Sequence, residues 1–429
     1  MMLNVISLGV LSQFVSLVAS SEQTAPPSQD ESSTTPSEIV VDPEHDDLIK
    51  PAASGKQESL SSYFPWTHKP ICTAHLDEKD QFCVYTNASF SNGRGISIFT
   101  RPGLAPEFAS LPPFQDPTAL SSKGINLDTD TKHRPWYVAS VPGKGMGMFA
   151  SRPLERGDLI TAYTPYLLAH IDDLTFAEDR EKLLRLAVDQ LPSASRDAYL
   201  ALAKIYNEPD VVVQDVLKAN AFNMKIGGLM HPAVFPEASR INHACAPNAQ
   251  YFLSIDLLTQ YIHAVRPIKK DEEITISYAP PLRLHADRQQ YFQSIFQFTC
   301  TCQRCSPSSY NKKRTIGDSD RATHDIVTLQ WELSQPNSTA GVTQAEMLIN
   351  LYKAEGLDGF LDSAYGYAAL AYNRVGSARG AKKYAKLAVE ATWLKYGFDG
   401  VGLEKAREWE SIARDPTGHA SWRGGKTEL

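Results

Sequence analysis

The chain has 429 residues, 42% of them hydrophobic and 21% charged. This is the make-up of an ordinary globular protein with room for two or three domains. Its formal net charge of −7 is matched by residues 21–60, which carry nine acidic and two basic side chains, so the remainder is balanced. It has no basic stripe, and direct binding to DNA or RNA is therefore not expected.

The first twenty residues, MMLNVISLGVLSQFVSLVAS, are apolar over about a dozen positions and end in small residues. They resemble a secretory signal peptide cut near Ala19 or Ser20, although the usual positive start is missing. The run is short for a membrane span, so none is expected in the mature chain. Sequons at Asn87 and Asn337 and a terminal Lys-Thr-Glu-Leu, near a retention signal, fit entry to the secretory pathway. Without a working leader, the nucleus or cytoplasm is the expected location. Residues 21–60 are rich in Ser, Thr, Pro and acidic side chains, and disorder is expected there.

Residues 61–132 read as an N-terminal β-hairpin region and linker. Two β-rich runs flank Asn92-Gly93, a hairpin signal, and Cys72 and Cys83 are spaced to close a small disulfide loop. The Pro-rich stretch from Leu104 to His133 reads as a linker wrapping the next domain. From Trp136 to Leu168, short strands alternate with glycine turns. Residues 171–218 turn helical, in EDREKLLRLAVDQL, ASRDAYLALAKIY and PDVVVQDVLKANAF. Strands resume in AQYFLSI, QYIHAVRPI and EEITISY. Residues 320–415 are helical in pattern, and Asp362 to Gly397 looks like one tetratricopeptide-type helix pair.

Four cysteines carry the chemistry. Cys300, Cys302 and Cys305 form Cys-x-Cys-x-x-Cys, and Cys245 sits upstream in RINHACAPN. Three thiols in so short a span cannot pair off as separate disulfides without strain, whereas tetrahedral zinc takes four sulfur ligands. Disulfides remain the competing reading in a secreted chain. Glycines at 143, 145 and 147 interrupt a strand pattern, which lets backbone approach a ligand closely. A second Gly-x-Gly at Gly93 and Gly95 reads better as a turn. Phe296 and Phe298 alternate just before Cys300, which places both rings on one side of an extended segment.

PGKGMGMFASRPL, RINHACAPN, DEEITISY and FTCTCQRC follow one another in that order. Together they resemble the SET domain of protein lysine methyltransferases with its post-SET zinc cluster. The SET-and-MYND group is the nearest likeness, but no cysteine lies between Phe149 and Cys245 to build a MYND finger. The resemblance implies an α+β fold: a SET-like β-clip over 133–280 with a helical insert at about 170–220, and a zinc-bound post-SET segment over 281–310. A helical, tetratricopeptide-like C-terminal domain over 311–429 completes it. It also implies that the segment carrying NHACAPN threads a loop of neighbouring chain.

The implied activity is methyl transfer from S-adenosylmethionine to a lysine of a protein substrate. Tyr278 matches the family's catalytic tyrosine. Asn242 and His243 match its cofactor-binding pair, and Lys144, Gly145, Met146 and Gly147 would line the methionine end. Ser239 is a further cofactor candidate and Asn220 a weaker one. Phe298, with Phe296, would lie over the cofactor and lysine channel as zinc holds the segment in place. The zinc would be structural, bound by Cys245, Cys300, Cys302 and Cys305. Two other readings stay open: a catalytically silent SET-like protein-binding module, and a disulfide-bonded secreted binding protein.

Overall fold

The computed structural model describes residues 63–73, 81–126, 134–171, 176–306, 314–335 and 340–424. The leader, the acidic segment, the Asn337 sequon and the terminal tetrapeptide lie outside them. The architecture is α+β, with short strands and a helical insert first and helices after residue 284.

Strands β1 (Ile71–Cys72), β2 (Cys83–Asn87) and β3 (Ile96–Thr100) run antiparallel, and a disulfide joins Cys72 to Cys83 across the first ladder. The expected hairpin is therefore present, but its connection is longer than an Asn-Gly turn. It runs from Ala88 to Gly95, with Ser91 and Asn92 in left-handed conformations at φ 50° and 57°. The stretch read as a linker folds into α1 (Ala105–Ser110) and α2 (Pro112–Gln115). It buries Phe108, Phe114, Leu120 and Ile125 in the same core as Ile96 and Ile98. Prolines near each helix start suit the first turn, where the missing N–H has no partner to lose.

Next come β4 (Trp136–Val141), β5 (Gly145–Ala150), β6 (Leu159–Tyr163) and β7 (Leu167–Ala169). The helical insert is α3 (Ala177–Asp189), α4 (Ser193–Leu200) and α5 (Val212–Asn220). Its own side chains close it. Glu181 accepts from Val213 N and Gln214 N at 2.7 and 3.0 Å, satisfying free donors at the α5 N-terminus. Leu184, Ala187 and Val188 of α3 turn one apolar face toward Phe82, Val84 and Phe99.

The chain then forms β8 (Ala221–Ile226), β9 (Leu229–Val234), β10 (Asn242–His243), β11 (Ala249–Ser254), β12 (Thr259–Ala264) and β13 (Glu273–Ile276). Three sheets result, ordered β1-β2-β3-β7-β9-β8, β10-β13-β5-β4 and β11-β12-β6. Because β3 pairs with β7 in parallel, the N-terminal hairpin shares a sheet with strands beyond residue 133.

Helices α6 (His285–Phe296), α7 (Ile316–Ser334), α8 (Val342–Ala354), α9 (Asp362–Arg374), α10 (Ala378–Tyr396) and α11 (Gly400–Arg414) complete the chain. Small residues permit close helix contacts: Gly366 lies under the Trp409 ring and Gly380 under the Tyr372 ring. No helix among the described residues is long and apolar enough to cross a membrane.

One buried histidine gives the fold an acid-sensitive point. His231 on β9 is fully buried. Its Nδ1 lies 3.2 Å from Leu229 O, which can only accept, so Nε2 is left to accept from the Thr100 hydroxyl at 2.9 Å. Burial, with His170 close by, lowers its pKa to about 4. Between pH 6.5 and about 4 the unfolded chain takes up a proton that the folded chain refuses, so this contribution to stability falls as pH falls. The expected loss across that window is of order 3 kcal/mol. Comparing urea unfolding of the wild type and His231→Gln at pH 7 and pH 4.5 checks this: the variant should lose clearly less stability on acidification.

Candidate active site and metal centre

Strand β13 organises the site. It pairs antiparallel with β5, Glu273 opposite Phe149, and parallel with β10, Asn242 opposite Thr275 and His243 opposite Ile276. Two pairs make a weak ladder by themselves, and Asn248 reinforces it. Buried Asn248 accepts from Thr275 N at 2.8 Å and donates to Glu273 O at 2.9 Å. The last residue of NHACAPN thus ties the motif to the strand that precedes Tyr278.

The glycine turn between β4 and β5 lies against this strand. Gly143 and Gly145 have φ of +74° and +75°, conformations in which L side chains are strained, and open space lies where a Cβ would be. Gly147 is enclosed: a Cβ there would meet Val141, Asn242 and Glu273 within about 3.2 Å. Lys144 and Met146 are exposed, and Lys144 Nζ lies 3.1 Å from Glu273 Oε2. Asn242 Nδ2 donates to the other carboxylate oxygen at 2.8 Å.

Tyr278 lies just beyond β13. Its N–H donates to His243 Nδ1 at 3.0 Å, and its hydroxyl donates to Ile241 O at 2.6 Å. Burial, helped by the Glu273 charge, pushes the phenol pKa well up, so it stays protonated. With Nδ1 accepting, the His243 proton sits on Nε2, 3.2 Å from Cys245 Sγ. Burial lowers His243 to about 4, so the ring is neutral at physiological pH.

Aromatic rings enclose this point. Tyr278 lies 5.2 Å from Phe296, His243 4.3 Å from Phe292, and Phe298 stacks on Phe292 at 5.2 Å. Tyr291 continues the wall at 6.1 Å from Phe296. Tyr251 packs edge-to-face on Phe222 at 4.9 Å, and burial, with Tyr291 nearby, raises its pKa.

Ser239 and Asn220 make local bonds. The Ser239 hydroxyl donates to Phe235 O, and Asn220 Nδ2 donates to Ala203 O and Val216 O within the insert.

Cys245, Cys300, Cys302 and Cys305 converge as unpaired thiols, with all four sulfurs within 4.8 Å of one another. Cys245 Sγ lies 3.6 Å from Cys305 Sγ and 4.0 Å from Cys300 Sγ. Tetrahedral zinc with bonds of about 2.3 Å would set sulfurs about 3.8 Å apart, so the cluster fits that ion. Hydrogen bonding among the thiols pushes Cys245 up and holds Cys302 down. A divalent cation would let all four ionise.

Two arginines that sequence reasoning passed over attend the cluster. Arg288, fully buried, reaches Cys305 Sγ at 3.9 Å. Burial pulls its pKa down, but Cys245 and Cys305 outweigh that and raise it. Arg304, inside the Cys-x-x-Cys, donates to Cys245 O at 3.2 Å and Pro281 O at 2.8 Å. It also pairs with buried Glu355 at 2.9 Å, just past α8. Glu355 further accepts from Ser319 and Arg314. A buried ion pair therefore fastens the cysteine knuckle to the C-terminal helices. Glu273, Asn248 and Tyr251 were likewise not singled out. Glu273 had one sequence signal: it is a charge entering an otherwise apolar strand.

Residues 145–279 match the SET domain family model. Histone-lysine N-methyltransferase set5 of Schizosaccharomyces pombe is 28% identical over 183 residues, covering 43% of this chain and 54% of that protein. Human N-lysine methyltransferase SMYD2 is 30% identical over 110 residues, 25% of each chain. Human histone-lysine N-methyltransferase SMYD3 is 30% identical over 129 residues, covering 30% of this chain and 27% of that one. The chain thus carries a SET domain with relatives among the lysine methyltransferases, and spans about half or less of their length.

Glu355→Gln should leave Arg304 buried with its charge unbalanced and cost about 3–5 kcal/mol. Denaturant unfolding measures this, and a change under about 1 kcal/mol would show that the ion pair does not hold the knuckle. Metal analysis of the purified chain should find about one zinc, and Cys302→Ser should lose it and weaken cofactor binding. An unchanged cofactor affinity would separate the knuckle from the site.

Proposed function

We propose that this chain is an S-adenosylmethionine-dependent protein-lysine N-methyltransferase. The observation that carries the reading is the Tyr278 hydroxyl, pinned to Ile241 O, with its ring against Phe296 and His243 and the His243 ring in turn against Phe292 and Phe298.

S-adenosylmethionine, when bound, supplies a methyl group made electrophilic by its sulfonium. Asn242, Lys144 and the backbone from Gly143 to Gly147 would hold it: together they offer acceptor, cation and close backbone approach. The aromatic walls act on the incoming lysine. They exclude water and so lower the ammonium pKa from its usual value of about 10.4, yet their π-faces tolerate a cation on entry. The lysine gives its proton to solvent as it enters.

Tyr278 orients rather than abstracts. Its raised pKa keeps the proton on oxygen, and that proton is committed to Ile241 O. The hydroxyl lone pairs are then free to accept from the amine and align its attack. His243 acts through position: its neutral ring braces the Tyr278 backbone on one side and the cysteine cluster on the other. Zinc at the four cysteines would have no open coordination position, so its part is structural. The proposed substrate is a protein lysine side chain.

The test is methyl transfer to protein lysines by wild type and Tyr278→Phe, with cofactor affinity measured in parallel. Loss of the hydroxyl should cut turnover by roughly 10²-fold while leaving cofactor Kd within about threefold. Full activity in the variant removes Tyr278 from the mechanism.

A further inference from the structure

Glu273 divides its two oxygens between chain segments about a hundred residues apart. Oε1 accepts from Asn242 Nδ2 at 2.8 Å, and Oε2 from Lys144 Nζ at 3.1 Å. Its side chain is 20% exposed and that of Lys144 40%, so the pair lies at the rim of the site. Gly147 lies directly beneath, with its Cβ position 3.0 Å from Asn242 Nδ2 and 3.2 Å from Glu273 Oε1.

The chemistry of these contacts sets an orientation. An amide presents a donor and an acceptor of nearly the same shape, and its partner decides which way it turns. A carboxylate can only accept. Glu273 therefore draws the Asn242 NH2 to itself and turns Oδ1 the opposite way, as an acceptor. The same carboxylate tethers the Lys144 cation on the other flank. An acceptor and a cation held on either side of a glycine turn match the ammonium and carboxylate of an amino acid.

We infer that Glu273 is the positioning residue for the amino-acid end of the cofactor: it sets the Asn242 amide with Oδ1 outward and holds Lys144 in place. The inference rests on the function proposed above. Glu273 touches neither reacting atom, and it acts through its two partners.

The experiment titrates the 429-residue chain, loaded with zinc, with S-adenosylmethionine and measures turnover. Glu273→Gln keeps shape but loses the charge and the acceptor-only character. It should weaken cofactor binding about tenfold, the scale of one charge-assisted hydrogen bond. KM for the cofactor should rise more than kcat falls, and KM for the protein substrate should stay within about twofold. Asn242→Asp sets two carboxylates face to face and should cost more, about a hundredfold. In the double variant, Glu273→Gln with Asn242→Asp, the introduced amide can donate to the introduced carboxylate and rebuild the pair with its polarity reversed. Binding should then recover at least about tenfold over Asn242→Asp alone, the coupling expected of two groups in direct contact, while the rise confined to the cofactor KM is what a merely structural role does not produce. Additive losses, or an unchanged Kd in Glu273→Gln, overturn the inference while leaving the methyltransferase reading intact. A wild-type chain that binds no cofactor overturns both.

Discussion

The parallel pairing of β10 with β13 is the constraint on which the site depends. It joins only Asn242 and His243 to Thr275 and Ile276, yet it sets the position of four groups. Asn242 comes to Glu273, His243 to the backbone of Tyr278, Ile241 O to the Tyr278 hydroxyl, and Cys245 to the knuckle cysteines. Two residues of ladder are too few to hold this alone. Asn248 supplies the rest, because its buried amide bonds the neighbouring strand through both its donor and its acceptor. Loss of that side chain would leave buried backbone groups without partners, which costs more than the bonds themselves contribute.

From this pairing the electrostatics follow outward. Two titratable groups at the site are kept neutral, Tyr278 as phenol and His243 as neutral imidazole, both chiefly through burial. The metal centre is arranged oppositely. Four thiolates around a divalent zinc would carry a net charge of about −2, and the buried Arg288 and Arg304 stand beside the four sulfurs. Arg304 is balanced in turn by Glu355, so charge compensation runs from the knuckle into the C-terminal helices. The helices beyond residue 314 thus belong to the energetics of the site, although none of their side chains reaches Tyr278 among the contacts described.

Much of the site was legible in sequence because its residues are adjacent in short, chemically odd clusters. Cysteines at 300, 302 and 305, the pair Asn242-His243, and the tyrosine after EEITIS each break the local pattern. The structure brings the four cysteines together, sets His243, Tyr278, Phe296 and Phe298 around one point, and places Asn242 against Glu273. Ser239 and Asn220 had no such signal, and their side chains bond nearby backbone carbonyls, at Phe235 for the one and at Ala203 and Val216 for the other. The Pro-rich stretch after Leu104 reads as a linker by composition, yet proline at a first helical turn is compatible with a helix. Buried Phe108 and Phe114, not propensity, hold those short turns in place.

By itself the sequence determined the fold class, the strand and helix periods, and the identity of the sulfur, amide and phenol groups. These are local properties: hydrophobic spacing and side-chain chemistry need no partner to be read. Tertiary structure decided which partners those groups meet. Glu273 was one acidic residue among many until β13 set it between Lys144 and Asn242, and Arg304 was a solvent-facing charge by any composition rule until Glu355 buried it. Ion pairs and hydrogen bonds of this kind depend on a few ångströms between residues far apart in the chain. That separation is fixed by packing and strand register rather than by any run of neighbouring residues.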